Sequence, residues 1–407
     1  MAENLHLFTM SYPYGDGEPF LENELNYLAT RFSKIFIYPS NVSPTKRDLP
    51  VNVELRELNA AKLSFSTLKV LFNNFWLIAG VHLKEMSKAN KKNTYIKHFR
   101  EYNSRFCKSV ALAGKIGAKI GNEEKRDVFY SFWMNESAEA LAVLKKQKKI
   151  ENFVFRANGF DLYDVQAKYN YIAFRPFIFG QADKMFAVAK KGSEYMKAFK
   201  ISPEKITYSY FGTKDLGESV FKPEEKFTVF TCSDLRLIKR VDSMVDILKH
   251  IKFPIKWIHH GHKGDNEKVF YEKIKELPSN VEFIQHERKE NYSEVLQFFK
   301  NNHFNLFLLL SSIEGLPVSV IEAMSFGIPV LATDVGGVSE VVNSTNGIIV
   351  EKEFDPATVA KKITEFSESQ MNTKEGRKKV RKDWEERFSA NKNYEKFYNQ
   401  LIDHELN

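Results

Sequence analysis

Cysteine is scarce in this sequence: there are two in 407 residues, Cys107 and Cys232. They match neither the spacing of metal ligands nor a disulfide framework, which excludes a disulfide-stabilised secreted scaffold and fits a reducing compartment. The N-terminal stretch MAENLHLFTM lacks the basic residues that open an export signal. Long hydrophobic runs are also missing, since the most apolar stretch, FWLIAGV at 75–81, is far shorter than the roughly 20 residues of a spanning helix. We therefore expect a cytoplasmic protein that does not cross a membrane.

The chain does have enough hydrophobic material for sizeable cores. Hydrophobic residues make up 43% of it and 35 residues are Phe, which excludes a disordered chain. Its length suits two domains of about 200 residues each. Residues 1–213 hold 32 Lys and Arg against 21 Asp and Glu, whereas the remaining residues hold 28 against 31. The basic N-terminal half is therefore suited to an anionic partner.

Short apolar and β-branched runs alternate with helical patterns throughout, which favours α/β units with parallel sheets. The first series of predicted strands covers 5–10, 34–40, 128–134, 152–158, 184–189 and 205–212. The second series covers 227–233, 255–261, 281–287, 304–311 and 328–334. Each series predicts one doubly wound, Rossmann-like sheet.

The domain organisation follows from these two series. Residues 1–213 are predicted to form the N-terminal domain, and 227–387 the C-terminal domain. The stretch 214–226 has little hydrophobic pattern and a dense mixture of charges, which is typical of an interdomain linker. Residues 388–407 form an amphipathic helix with no following strand, so we expect this helix to pack back on the N-terminal domain.

The most biased stretch, 84–119, carries ten Lys or Arg against two Glu. With the aromatic residues Phe72, Phe75 and Trp76 just upstream, residues 72–119 are suited to peripheral contact with an anionic membrane. A solvated helical face beside ordinary core aromatics explains the same pattern equally well. Nucleic acid is not an expected partner, because no nucleic-acid module accompanies the charge.

The segment 308–342 carries the clearest chemistry. A strand ends near Ser311, a turn brings Glu314 and Gly315, and Pro317 stands at the start of a helix that runs to about Phe326. A helix N-terminus at the carboxyl end of a strand suits a diphosphate, so we expect the helix entry to bind one. That entry consists of Gly315, Leu316, Pro317, Val318 and Ser319.

Two acids frame this helix entry. Glu314 and Glu322 are eight residues apart, so both can face one ligand, one binding a ribose diol and the other a sugar ring. Two solvated helix acids are the alternative explanation. The pair Gly336 and Gly337 follows the next strand and opens another short helix, which can present backbone amides to the ligand.

This segment resembles the Glu-x7-Glu donor motif of glycosyltransferase family 4, retaining enzymes with the GT-B fold. Other quoted stretches, among them SYPYGDGEPFLENEL and TCSDLRLIKRVD, are similar to the bacterial transferases that build capsule, exopolysaccharide or lipopolysaccharide. The resemblance implies two Rossmann-like domains facing a cleft. The N-terminal domain would bind the acceptor, and the C-terminal domain, with the helix entry at 315–319, would bind the donor. It also implies that Glu322 binds the ribose hydroxyls and that Glu314 contacts the transferred sugar and its phosphate.

The family further places a basic pair after the first strand of the second domain, where it neutralises the diphosphate leaving group. Lys239 occupies the lysine position, and the arginine position falls on or near Asp234. Arg236 or Arg240 must therefore supply the second charge. The resemblance makes Glu314, Lys239 and Arg240 the catalytic candidates.

Several further candidates follow strands. Gly15 and Gly17 come after the first strand and are predicted to approach the donor, and Glu18 beside them can reach into the cleft. In RANGFDLY, where relatives carry a histidine, this sequence has Asn158, so Arg156, Asn158 and Asp161 are kept as acceptor or cleft candidates. The histidines at strand ends, His286 and the HHGH residues His259, His260 and His262, are predicted to line the nucleotide pocket, with a metal site as the less favoured alternative.

The resulting hypothesis is a retaining, metal-independent hexosyltransferase without a cofactor. A nucleotide-diphosphate sugar, with UDP favoured as the nucleotide, would be the donor, and a glycan or lipid-linked molecule of surface polysaccharide synthesis the acceptor. The family implies front-side attack, in which the departing phosphate takes the acceptor proton. The enzyme would act in the cytoplasm, including the inner face of the cell membrane. A GT-B epimerase or phosphorylase and a catalytically silent partner in a polysaccharide assembly complex are the alternatives.

Overall fold

The structure, a computed structural model, describes residues 4–15, 17–58, 65–88, 91–120, 127–199, 201–261, 263–286 and 292–402. The chain divides into two compact units. The first unit takes the described residues up to Tyr210 together with those from Tyr394 onward, and the second is Phe211–Asn393.

The first unit is built on a parallel sheet with strand order β3-β2-β1-β4-β5-β6-β7. Its strands are β1 (Asn4–Thr9), β2 (Lys34–Pro39), β3 (Val53–Leu55), β4 (Val128–Ser131), β5 (Val154–Ala157), β6 (Lys184–Ala187) and β7 (Ile206–Tyr208). The central strands β1, β4 and β5 are buried over nearly their whole length. Helices cover both faces of such a sheet, which is why these strands read as continuous apolar runs.

The helices of the first unit connect these strands. They are α1 (Leu21–Leu28), α2 (Phe65–Asn73), α3 (Phe75–Lys88), α4 (Lys92–Lys97), α5 (Phe99–Ile120), α6 (Glu136–Lys146), α7 (Arg175–Gln181) and α8 (Lys190–Lys197). The long helix α5 buries Tyr102, Phe106, Val110 and Ala113, which lie three or four residues apart and so share one helix face. That face joins the core of the unit.

The second unit repeats the plan, with a parallel sheet in the order β10-β9-β8-β11-β12-β13. Its strands are β8 (Phe227–Cys232), β9 (Ile255–His260), β10 (Val281–His286), β11 (Leu306–Leu309), β12 (Val330–Thr333) and β13 (Gly347–Val350). Its helices are α9 (Ser243–Leu248), α10 (Glu267–Lys273), α11 (Tyr292–Asn301), α12 (Val318–Ser325), α13 (Val338–Val341), α14 (Pro356–Ser367) and α15 (Lys374–Phe388). The core sits between β8, β9, β11 and the helices α9 and α14.

The last described helix, α16 (Ala390–Ile402), belongs to the first unit from Tyr394 onward. The Phe397 ring lies 5.4 Å from the Tyr130 ring, and the Tyr398 ring packs edge-on against Phe32 at 5.5 Å. The predicted return of the C-terminal helix to the N-terminal domain is thereby confirmed. Its aromatic face fills the space above the central strands.

The stretch 214–226, predicted as a linker, lies within the second unit and hydrogen-bonds to other parts of it. The Ser219 amide donates to the Phe326 carbonyl at 3.1 Å, and the Val220 amide to the Lys300 carbonyl, also at 3.1 Å. The sequence analysis also missed two strands, β3 and β13. Both lie at sheet edges and span three and four residues, so they carry little hydrophobic pattern of their own.

Candidate functional site

The strand order of the second unit reverses between β8 and β11. Connections from β8 and from β11 leave the sheet in opposite directions there, which opens a crevice at the carboxyl ends of the two strands. The loop after β8 carries Arg236, Lys239 and Arg240, and the loop after β11 carries Glu314 and Gly315. Both predicted groups of donor residues therefore flank one crevice.

Lys239 and Glu314 meet across this crevice. The Lys239 Nζ donates to Glu314 Oε1 at 2.6 Å, and the two side chains are 24% and 11% exposed. The two loops are also tied by their backbones, because the Ser312 amide donates to the Ile238 carbonyl at 2.8 Å. A half-buried ion pair of this kind holds a cation and a carboxylate in place beside the position that a ligand would take.

Arg240 has a different position from Lys239. Its Nε donates to the Leu310 carbonyl at 2.7 Å and its Nη2 to the Ser311 carbonyl at 3.2 Å. Burial lowers the pKa of this guanidinium from its usual value. Arg240 thus connects the end of β11 to the loop after β8, and these hydrogen bonds use its Nε and Nη2. Arg236, in contrast, is exposed.

The glycine pair after β12 shapes the Glu314 loop. Gly336 has a φ of +51°, and a Cβ at this position would lie 1.8 Å from the Glu314 carbonyl oxygen. The Gly337 amide donates to the Gly315 carbonyl at 2.8 Å. Since any side chain at Gly336 would collide with backbone, this glycine lets the α13 entry approach the Glu314–Gly315 peptide closely.

Helix α12 begins one residue after Pro317 and has no side-chain cap. Val318 and Ser319 are half-buried, whereas Leu316 and Pro317 are buried. Among the described residues, the Val318 and Ser319 amides have no hydrogen-bond acceptor. The first turn of a helix leaves such donors free, and together with the helix dipole they favour an anion.

Glu322 lies in the second turn of α12 and is 5% exposed. Tyr292, the first residue of α11, donates its hydroxyl to Glu322 Oε1. The sequence analysis missed Tyr292, and no local signal marks it, since it meets Glu322 only through the tertiary fold. A carboxylate presents about four acceptor sites, so this hydrogen bond is compatible with further bonds to a ligand diol.

The histidines at the strand ends of this sheet fall into two environments. The His260 and His286 rings stack with centroids 5.0 Å apart and Nδ1 atoms 3.1 Å apart. His259 is fully buried, and burial lowers its pKa to about 3. His262 lies outside the described residues. Within the described ranges, no three His, Cys, Asp or Glu side chains are grouped as metal ligands.

Residues 213–387 match the family model described as glycosyl transferases group 1. The matched stretch is less than half of the chain, and we call it the group 1 domain after the family that it resembles. The match spans nearly the whole second unit and includes both acids of the crevice.

Two curated relatives share parts of this chain. It is 31% identical over 174 residues to an uncharacterized glycosyltransferase of Methanocaldococcus jannaschii, an alignment that covers 40% of this chain and 46% of that protein. It is 44% identical over 62 residues to the O-antigen biosynthesis glycosyltransferase WbnH of Escherichia coli, which covers 15% of this chain and 18% of that protein. The chain thus spans about half or less of the length of these relatives.

Among solved structures, Anabaena HepE in complex with UDP-glucose matches with a TM-score of 0.67 at 13% identity. The match covers 98% of this chain and 99% of that one. At this identity the likeness shows the fold, and it confirms the predicted class of two parallel α/β domains with the GT-B fold. The group 1 domain is the C-terminal one of the two.

Outside the group 1 domain, Glu18 is occupied by its own loop. Its carboxylate accepts from the backbone amides of Met10, Ser11 and Tyr12 at 2.7–3.0 Å and from Trp133 Nε1 at 2.5 Å. The Gly15 and Gly17 carbonyls both accept from Arg47 Nη2 at 2.9 Å. This arrangement holds the loop after β1 in one shape and favours a structural role for Glu18.

Arg156 and Asp161 are likewise interior residues of the first unit. Arg156 is fully buried and pairs with Glu24 at 2.9 Å. Asp161 accepts from the amides of Met134, Asn158 and Gly159 at 2.9–3.0 Å, and burial raises the pKa of its carboxyl. Both positions favour structural roles over ligand contact, because their polar atoms are used inside the protein.

Asn158 differs from these two neighbours. Its Nδ2 donates to the Phe132 carbonyl at 3.2 Å, but its buried Oδ1 has no hydrogen-bond partner among the described residues. It stands directly after β5, at the carboxyl edge of the first sheet. Of the three candidates from RANGFDLY, it is the one with a buried acceptor that has no partner in the described part of the chain, and such an atom is a candidate for ligand contact.

Proposed function

We propose that the chain is a glycosyltransferase that moves a sugar from a nucleotide-diphosphate sugar, with UDP as the nucleotide, to a glycan or lipid-linked acceptor. The observation that carries this proposal is the Lys239–Glu314 ion pair beside the uncapped start of α12. A cation and free helix amides at one strand edge are the groups that bind a diphosphate. The group 1 match and the UDP-glucose complex of HepE support the same donor.

In this proposal, Lys239 and the amides of Val318 and Ser319 hold the diphosphate. The bond between the sugar C1 and the diphosphate oxygen breaks, and negative charge develops on that oxygen beside Lys239. The acceptor hydroxyl oxygen bonds to C1 from the same face, and its proton passes to the departing diphosphate. Glu314 contacts the transferred sugar. The anomeric configuration is thus retained, and no metal ion is required.

Arg236 is the better candidate for the second cation that the leaving group needs. Arg240 is fastened to the Leu310 and Ser311 carbonyls, whereas Arg236 is exposed and its side chain has no partner among the described residues. We therefore propose that Arg240 positions the crevice wall and that Arg236 contacts the diphosphate.

Titration of UDP by calorimetry tests the donor assignment. We expect UDP to bind the wild-type chain, and Glu322→Ala to weaken it about tenfold, because a bound ribose diol would lose hydrogen bonds to a carboxylate worth about 1.5 kcal/mol. Glu365→Ala, which removes an exposed acid from α14, is the matched control. Unchanged affinity in Glu322→Ala would reject the ribose role.

The reaction itself is tested with UDP-glucose and a panel of glycan and lipid-linked acceptors. We expect a product whose NMR couplings show the α configuration of the donor, at the same rate with and without EDTA. An inverted product would refute retention, and loss of rate in EDTA would refute metal independence. A product formed without acceptor would indicate epimerisation instead.

We also propose that the acceptor side of the enzyme meets an anionic membrane. Phe72, Trp76 and Leu83 are 82%, 85% and 63% exposed and follow one another at helical spacing along α2 and α3, so they form one solvent-facing apolar strip. Exposed lysines, among them Lys84 and Lys92, lie nearby in the chain. Aromatic anchors with flanking lysines bind anionic lipid surfaces. In the described part of the chain, no helix is both long and apolar enough to span a bilayer.

Sedimentation with vesicles tests this contact. We expect the chain to sediment with phosphatidylglycerol vesicles and not with phosphatidylcholine vesicles. The double variant Trp76→Ser, Leu83→Ser should no longer sediment with phosphatidylglycerol vesicles. Val269→Ser, at an exposed apolar position of the second unit, is the control. Equal sedimentation of the double variant and the wild type would refute the proposal.

A further inference from the structure

A cavity of about 470 Å³ lies within the first unit. Its walls are one face of α5, the residues that follow β4, the residues that follow β5 and the turn at 166–172. It is therefore at the carboxyl edge of the first sheet, where α/β units place their ligands. The volume falls within the range of about 300–1,000 Å³ that is typical of small-molecule sites.

Three polar groups on this wall have no hydrogen-bond partner among the described residues. They are the Tyr102 hydroxyl, Arg105 Nε and Gln166 Nε2. Tyr102 is 5% exposed, and Arg105 Nε lies 4.0 Å from the nearest Glu136 oxygen, which is beyond hydrogen-bond range. A buried polar group without a partner costs about 1–3 kcal/mol. Three of them at one cavity indicate that a ligand with hydrogen-bonding oxygens completes the site.

These groups are held firmly in place. The Tyr102 ring stacks on Tyr95 at 5.2 Å and meets Tyr171 edge-on at 5.9 Å. Arg105 pairs through Nη2 with the buried carboxylate of Glu139, which fixes the direction of its Nε. Burial raises the pKa of Tyr102 to about 12, so its hydroxyl keeps its proton at neutral pH. The cavity wall is thus organised before any ligand arrives.

The charges on the wall balance. Three residues with cationic side chains, Arg105, Lys108 and Lys168, and three with carboxylates, Glu101, Glu136 and Asp161, line the cavity. Lys168 and Glu101 pair at 2.7 Å, and the Asp161 carboxylate accepts three backbone amides. A wall without net charge does not select an anion such as a phosphate or a carboxylate.

Apolar surface completes the wall. Met134, Phe160 and Ile172 line the same cavity, and Phe160 is 45% exposed. A sugar ring presents a flat C–H face to such side chains and a rim of hydroxyls to hydrogen-bond donors. This combination of a neutral polar rim and an apolar face matches a saccharide better than it matches a lipid chain or a charged group.

We propose that this cavity binds an uncharged saccharide unit through Tyr102, Arg105 and Gln166. In naming that saccharide as part of the acceptor, the inference rests on the proposed function. The binding itself does not depend on transfer, since the cavity lies wholly within the first unit. The crevice between the loops after β8 and β11, which we call the donor crevice, lies wholly within the second unit.

Calorimetry on the full chain tests the cavity directly. The probes are neutral disaccharides (maltose, cellobiose, lactose and N,N′-diacetylchitobiose) and, for comparison, a disaccharide that contains glucuronic acid. We expect at least one neutral disaccharide to bind. Tyr102→Phe, which removes only the hydroxyl, and Gln166→Leu should each raise its dissociation constant about 3- to 10-fold, which corresponds to one hydrogen bond.

Tyr398→Phe is the matched control, because Tyr398 is a buried tyrosine of the same unit that does not line the cavity. It should leave saccharide affinity unchanged. Failure of every neutral disaccharide to bind, preference for the glucuronic acid compound, or wild-type affinity in both Tyr102→Phe and Gln166→Leu would each overturn the inference. UDP is titrated into the same samples. If the wild type binds UDP but no neutral disaccharide, only the cavity is refuted, whereas absence of UDP binding by the wild type refutes the proposed function.

Discussion

The contact between Gly336 and the Glu314 carbonyl makes the donor crevice sensitive to a single methyl group. Gly336→Ala would place a Cβ 1.8 Å from that oxygen at a φ of +51°. A non-glycine residue in this left-handed conformation costs about 1–2 kcal/mol, and forcing extra volume into a packed site costs about 1–3 kcal/mol more. We therefore expect a loss of about 2–5 kcal/mol in the free energy of unfolding.

The second unit offers a control for the conformational part of this cost. Gly217 also has a positive φ, +88°, but a Cβ there would meet no atom within 4 Å. Gly217→Ala should therefore lose only about 1–2 kcal/mol. Urea unfolding gives the difference between the free energies of unfolding of the two variants, and this difference is the cost of the collision alone.

Binding should separate the two variants further. To relieve the collision, the Glu314–Gly315 peptide must move, and this displaces the carboxylate that pairs with Lys239. We expect Gly336→Ala to bind UDP at least tenfold more weakly than the wild type, a loss of about 1.4 kcal/mol, and Gly217→Ala to bind it normally. If calorimetry and urea unfolding cannot distinguish Gly336→Ala from Gly217→Ala, the argument from close backbone approach is wrong.

Three further variants follow from the same structure. Lys239→Met should lower kcat about 10²- to 10³-fold, as expected for loss of a group that stabilises developing charge. Lys352→Met, at an exposed position, is the control, and equal initial rates for the two variants would contradict the role of Lys239. Arg156→Met should destabilise the chain by about 3–5 kcal/mol because Glu24 is left buried and unpaired; adding Glu24→Gln should recover part of that loss in urea unfolding, and no recovery would mean that the pair is not coupled. Burial lowers the pKa of His259 in the folded chain to about 3, so the unfolded chain binds more protons as the pH falls below 6.5. The free energy of unfolding should therefore fall on acidification, by about 1.6 kcal/mol between pH 6.5 and pH 5. His259→Phe should remove this dependence of stability on pH, whereas His250→Gln, at an exposed position, should keep it. If the urea midpoint of His259→Phe falls between pH 6.5 and pH 5 as much as that of the wild type, the assignment is wrong.

The sequence predicted most of the fold because its central strands are buried on both faces. The runs LHLFT in β1 and FTVFTC in β8 are rich in apolar and β-branched residues and contain no charged acid, lysine or arginine, and that pattern can be recognised without knowing the neighbouring strands. The edge strands β3 and β13 span only three and four residues, which is too short for such a run to be recognised. They could be placed only once the sheet order was known.

The donor crevice was partly predictable for a related reason. Glu314, Gly315 and Pro317 are close in sequence, and the start of α12 is set by local residues. The pairing of Lys239 with Glu314 joins residues 75 positions apart, and the sequence could suggest it only through the family resemblance. The hydrogen bond from Tyr292 to Glu322 joins residues 30 positions apart, and no motif near either residue predicts it.

The first unit shows why charged residues near strand ends are poor guides to a binding site. Glu18, Arg156 and Asp161 each follow or end a strand, and from sequence each qualified as a cleft candidate. In the fold, their polar atoms are satisfied by backbone amides or by an opposite charge from another element. Buried polar atoms without a partner among the described residues occur instead at Asn158 and, around the cavity, at Tyr102, Arg105 and Gln166; the last three belong to a long helix and a short turn with no motif. A buried polar group without a partner can be recognised only when the hydrogen bonds of the groups around it are known. A site of this kind is therefore found from the structure and not from the sequence.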